Sequence, residues 1–125
     1  MTSPVRAHLQ LLVNFHQCAV ETRQLKDAFL IRRQVRGIIL QNSMEVICTR
    51  CHRFTGRGNG VTAVFIVAES HLIVHTWPEK KLLNLDIFFC NFTKENASKA
   101  RRVLQRFTEL YRPRRTVKRS IRHTW

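Results

Sequence analysis

The sequence predicts an α+β fold: a two-layer αβ sandwich with an antiparallel-rich sheet and two helices. Three observations carry this. Apolar residues recur at helical three-and-four spacing in only two segments. Six other segments alternate or run in β-branched residues, giving the order β-α-β-β-β-β-α-β. The 125 residues are 44% apolar, enough for one core, with no shift in composition that would mark a second domain. The whole of 1–125 is therefore read as a single domain.

The elements follow in order. Residues 7–15 read as a strand. Residues 22–40 carry Leu25, Ala28, Phe29, Val35, Ile38 and Ile39, an amphipathic helix that stops at Gln41-Asn42-Ser43. Residues 44–52 form a second strand, and Gly56-Arg57-Gly58-Asn59-Gly60 a loop. Val61–Val67 is a buried strand, Leu72–Trp77 another, ended by Pro78. Leu82–Phe89 alternates, with Leu83, Leu85, Ile87 and Phe89 on one face and Asn84, Asp86, Phe88 and Cys90 on the other. Thr93 is placed to cap a helix over 94–111, with Ala97, Ala100, Val103, Leu104, Phe107 and Leu110 as its apolar stripe. Pro113 stops it, and Thr116–Ile121 is the last strand. Two helices cover one sheet face, so the second face, rich in Ile, Phe and His, needs a partner.

The net charge is +14, from 22 Lys and Arg against 8 acids. Ten of the 22 cations fall in Ser98–Trp125, where Glu109 is the only acid. Such a tail can hold phosphate backbones. No nucleic-acid-reading motif accompanies it, so a basic nucleic-acid-binding module is kept as an alternative, with nucleic acid not expected as the main partner. No segment has the length of a membrane span, and no charged start followed by an apolar block is visible, so a cytoplasmic location is expected, with no membrane partner. Four cysteines should then stay reduced, and the sequons at Asn91 and Asn96 carry no meaning.

Cys48-Thr49-Arg50-Cys51-His52 matches the haem-attachment spacing, and Cys48, Cys51, His71 and His75 have finger-like zinc spacing. On a strand, residues three apart point to opposite faces, which argues against a shared ligand. No metal is expected.

The informative string is Glu69-Ser70-His71-Leu-Ile-Val-His75-Thr-Trp77-Pro78-Glu79, with Cys90 eleven residues on. It gathers a carbonyl, a hydroxyl, an imidazole and a thiol within 22 residues. No G-x-S-x-G elbow supports an ordinary serine hydrolase. This string, with His52-Arg53-Phe54 and the Gly-rich loop upstream, closely resembles the small prokaryotic S-adenosylmethionine decarboxylases, over about residues 7–112. The resemblance is fainter at His8-Leu9 and Phe15-His16-Gln17-Cys18.

The resemblance implies a pyruvoyl-dependent enzyme of spermidine synthesis. It implies self-cleavage between Glu69 and Ser70 into a β chain 1–69 and an α chain 70–125. Ser70 would become the pyruvoyl group, a covalent cofactor that binds the substrate amine. His75 would be the processing base, assisted by Thr62, and Cys90 the proton donor. Phe54 would stack on adenine and Glu79 would hold the ribose. Two αβ protomers would pair sheet to sheet as an αββα four-layer dimer, with active sites at or near the interface. His71 is read as structural.

The sequence departs from the family pattern in three places. Lys80-Lys81-Leu82-Leu83-Asn84 replaces an aromatic- and glycine-rich turn, Asn91 stands where a glycine often follows the catalytic Cys, and the Gly-rich loop is two residues longer, with Arg57 inside it. Lysines near a sulfonium pocket repel the substrate unless they face water. Arginine or ornithine therefore remain alternative substrates.

Overall fold

The computed structural model describes residues 7–68, 70–91 and 96–124. Glu69 and Thr93 lie outside the described residues. The strands are β1 (Ala7–Cys18), β2 (Glu45–Arg53), β3 (Val61–Ala68), β4 (Ser70–Trp77), β5 (Leu82–Phe89) and β6 (Pro113–Thr124); the helices are α1 (Arg23–Lys26), α2 (Ala28–Gln41) and α3 (Ala97–Tyr111). The six strands form one sheet in the order β2-β3-β4-β5-β1-β6. Every neighbouring pair is antiparallel.

Alternation makes the two sheet faces chemically different. Leu9, Leu11, Val13 and Phe15 of β1 point inward with Val61, Ala63, Phe65 and Val67 of β3, Leu72 and Val74 of β4, and Leu83, Leu85, Ile87 and Phe89 of β5. Ile31, Val35, Ile38 and Ile39 of α2 and Ala100, Val103, Phe107 and Tyr111 of α3 close the core. Each large side chain so buried contributes about 1.5–3 kcal/mol. α2 lies over β2 and β3, α3 over β1 and β5.

The helix expected over 22–40 is broken in two. Asp27 leaves helical geometry (φ −83°, ψ 99°), and its side chain accepts the Leu30 N–H at 3.0 Å. An apolar period cannot reveal this break, because Leu25 and Ile31 are buried on either side of it. The cap holds the Asp27 carboxyl below its ordinary range, chiefly through the Leu30 N–H. Strand β6 is longer than Thr116–Ile121, because its pairing with β1 runs from Cys18–Pro113 to Ala7–Thr124. Its cations sit on an open sheet edge, where charge discourages pairing with other chains.

Candidate active site

The informative string is split by the geometry of β4. Ser70 begins the strand and Trp77 ends it. Ser70 and His75 are five residues apart, roughly 16 Å along an extended chain, and odd separation puts them on opposite faces. One chain therefore does not bring the hydroxyl and the imidazole together. Nearness in sequence is misleading here, because an extended strand separates residues that a turn would join.

At the first end, Ser70 lies opposite Val67 on β3 and Phe89 on β5. Its φ is +101°, a region that residues with a Cβ rarely enter and that costs roughly 1–3 kcal/mol. Cys90 follows β5 directly and is 6% exposed. Its carbonyl accepts the Asn96 side-chain amide at 2.7 Å. Asn91 donates its backbone N–H to Nδ1 of His8 at 2.9 Å and its side-chain amide to the Ala7 carbonyl at 2.7 Å, and its Oδ1 accepts the Asn96 N–H at 2.7 Å. The residue replacing a glycine thus ties the Cys90 turn to β1 and to the start of α3. His8 is 1% exposed, a buried imidazole whose sequence signal is only its place in the faint upstream resemblance.

At the second end, a cleft of about 360 Å³ is lined by Phe54, Arg57, Thr62, His75, Trp77 and Glu79 among others. It gathers Thr62, His75, Phe54 and Glu79 from strands and loops apart in sequence. Thr62 and His75 are direct cross-strand partners, and Thr62 Oγ1 lies 2.9 Å from His75 Nδ1. That contact orients the ring and leaves Nε2 for other work. Thr76, 4% exposed, points the other way: it donates to the Leu25 carbonyl at 2.7 Å and accepts the Val61 N–H at 2.9 Å, fixing the strand ends that carry the cleft. Gly58 (φ +84°) passes against the Glu79 carboxylate, where a Cβ would clash. A Cβ at Gly60 would likewise clash, there with the Thr76 carbonyl. A larger hollow of about 670 Å³ opens beside Phe29, Arg23, Lys26 and Arg53, but it holds no imidazole, hydroxyl-imidazole pair or thiol. Chemistry, not volume, picks out the cleft.

The two lysines do not crowd the cleft's centre. Lys81 turns back in a left-handed conformation, and its ammonium donates to the Val20 carbonyl at 2.8 Å and to Thr22 at 3.0 Å. Lys80 sits over the Trp77 ring, 5.9 Å from its centroid. Trp77 and Asn84 are not among the site residues expected from sequence. Their signal is weak, because a Trp in the string and an Asn in a departing turn carry no role by type alone.

His71 belongs to a polar row across the same face. Its Nε2 lies 3.2 Å from Asp86 Oδ2, without the alignment of a hydrogen bond. Gln10 donates to Asp86 at 2.9 Å, and His123 lies 2.8 Å from Gln10. Cys48 is exposed and faces out, whereas Cys51 packs against the core, so the two do not share a ligand. Burial pushes the Cys51 thiol up, and Cys18 to about 11.

The S-adenosylmethionine decarboxylase family model matches residues 9–122, so the chain belongs to that family. It is 46% identical over 55 residues to the S-adenosylmethionine decarboxylase proenzyme of Archaeoglobus fulgidus, covering 44% of this chain and 46% of the relative. It is 40% identical over 93 residues to the proenzyme of Thermococcus kodakarensis, covering 70% and 63%. The chain thus spans between about half and two-thirds of the length of these relatives. The crystal structure of the adenosylmethionine decarboxylase from Aquifex aeolicus has the same fold, with a TM-score of 0.80 at 24% identity, over 92% of this chain and 88% of that one. Among the described residues, no helix is long and apolar enough to cross a membrane.

Proposed function

We propose that this chain is a pyruvoyl-dependent S-adenosylmethionine decarboxylase made by self-cleavage between Glu69 and Ser70. The observation that carries the reading is the positive φ of Ser70, a strained serine at the very residue the chemistry requires. Ser70 Oγ attacks the Glu69 carbonyl, and the peptide bond becomes an ester. A base then removes the Ser70 Cα proton, the ester carboxylate leaves, and water hydrolyses the resulting enamine, releasing ammonia. The chain ends as 1–69 and a pyruvoyl-led 70–125.

His75 is that base, held by Thr62. Since Ser70 and His75 lie at opposite ends of β4, the reading requires the His75 of a second copy. Outward-facing Leu12, Ile66, Trp77, Val117 and Ile121 are exposed apolar residues on the uncovered face. The reading therefore calls for a two-fold pairing of these faces, the four-layer αββα dimer, that brings the His75 of one copy to the Ser70 end of the other. The pyruvoyl carbonyl supplies an electron sink for decarboxylation of a bound amine. Cys90, one residue past Phe89, the register partner of Ser70 on β5, returns the proton to the substrate carbon. Phe54 and Glu79 hold the nucleoside. Two aromatic side chains in one cleft, Phe54 and Trp77, favour an adenine-bearing substrate over arginine or ornithine.

Intact-mass spectrometry tests this. The expected result is two fragments, the larger-numbered one lighter by one ammonia than a serine-led chain, with release of carbon dioxide from S-adenosylmethionine. A mixture of Ser70→Ala and His75→Ala proteins, refolded together, should cleave the His75→Ala chain although neither variant cleaves alone. A single uncut chain under all conditions sinks the reading. Cleavage with carbon dioxide release only from arginine or ornithine sinks the substrate assignment alone.

A further inference from the structure

We infer that Asn84 is a positioning residue: it fixes the Trp77 indole as a rigid wall of the cleft and thereby tightens substrate binding. This deepens the proposed reading and rests on it. The Trp77 indole N–H donates to Asn84 Oδ1 at 2.6 Å, and Asn84 Nδ2 donates to Asn14 Oδ1 at 2.6 Å. His75, Asn84 and Asn14 are direct partners across β4, β5 and β1. With Thr62 opposite His75, four polar side chains cross the outer face in one row.

The row has a direction, and Trp77 sets it. An indole N–H only donates, so Asn84 must turn its oxygen toward Trp77. Its amide nitrogen then faces Asn14, which must present its own oxygen. One donor at the cleft edge therefore orients two amides on two further strands. The reverse also holds: Asn84, anchored by Asn14, holds the indole in one rotamer. Trp77 is 44% exposed, too lightly packed for burial alone to immobilise it. Its edge is held by Asn84, Lys80 lies over the ring at 5.9 Å from the centroid, and the residue lines the cleft. A pre-set wall spares the substrate the cost of ordering it, so the effect belongs on binding rather than on the chemical step.

The test uses the full chain in a Trp125→Phe background, which leaves Trp77 as the sole indole. Asn84→Leu should shift the indole emission to the red and speed its quenching by acrylamide. It should raise the KM for S-adenosylmethionine about tenfold with kcat within about twofold. Asn84→Asp, whose carboxylate still accepts the indole N–H, should restore the emission of the parent. Asn14→Leu, which removes only the distant anchor, should give a smaller change in the same direction and serves if Asn84→Leu does not fold. Unchanged emission and quenching in both leucine variants overturns the inference. So does a moved emission with an unmoved KM. If the parent decarboxylates nothing, the proposed function fails by itself. Quenching of Trp77 by titrated S-adenosylmethionine then replaces KM, and equal affinity in parent and Asn84→Leu overturns the positioning role.

Discussion

The two faces of the sheet are built from the same strands by the same alternation, yet they do opposite work. On the inner face of β3 and β4, Val61, Ala63, Phe65, Val67, Leu72 and Val74 are buried and wholly apolar. On the outer face of those strands stand Thr62 and Ile66, with His71, His75 and Trp77. The inner face holds the fold together, and the outer face carries the polar rows and the cleft. A period of two thus separates the apolar packing of β3 and β4 from the polar rows and the cleft, while Ser70 begins β4 in register with the inward Val67 and Phe89.

Neighbouring residues on β3 give the sharpest way to break that contrast. Ile66→Arg places a charge on the outer face, where the side chain is 47% exposed. The expected outcome is an unaltered melting temperature for the monomer, loss of pairing in sedimentation, and loss of self-cleavage. A cleaving monomer would contradict the need for a second copy. Phe65→Ala, one residue earlier and fully buried, should instead cost about 3–5 kcal/mol in denaturant unfolding through the cavity it leaves. The fraction that remains folded should still cleave.

Thiol labelling sharpens the same contrast on β2. At neutral pH, Cys48 should react quickly, Cys51 slowly, and Cys18 only on unfolding, because burial keeps the inner thiols protonated as well as covered. Rapid labelling of Cys18 in the folded protein would contradict the packing. The smallest effect belongs to Asp27. Its carboxyl is held below the ordinary 3.8, so its contribution is present above that value and fades as pH falls through the lowered one. Asp27→Ala should therefore melt a few degrees below the parent at pH 7. The difference should close in acid, and a gap constant with pH would remove the cap from the account.

The core is legible in the sequence because it depends on local pattern. Alternation in Leu82–Phe89 names the four inward residues, and the stripe of α3 names Ala100, Val103 and Phe107. The break at Asp27 is not legible, since a capping aspartate and a solvent-facing aspartate look alike inside an apolar period. The site is half legible. The string locates Ser70, His75, Glu79 and Cys90, but their spacing hides that Ser70 and His75 occupy opposite ends of one strand. Asn91 looks like a departure from a glycine, and in the fold it ties β1 to α3.

The amino-acid sequence alone settles the family, the order of the strands and which side of each strand is apolar, because these follow from residue type and short-range period. Which outward residues meet is settled only in the assembled sheet. Strand order and register, set by the packing of the whole sheet, bring Thr62 to His75 and Asn14 to Asn84, pairs separated by 13 and 70 residues. No local pattern encodes a contact at that distance along the chain, so the shape of the cleft emerges only once all the strands are in place.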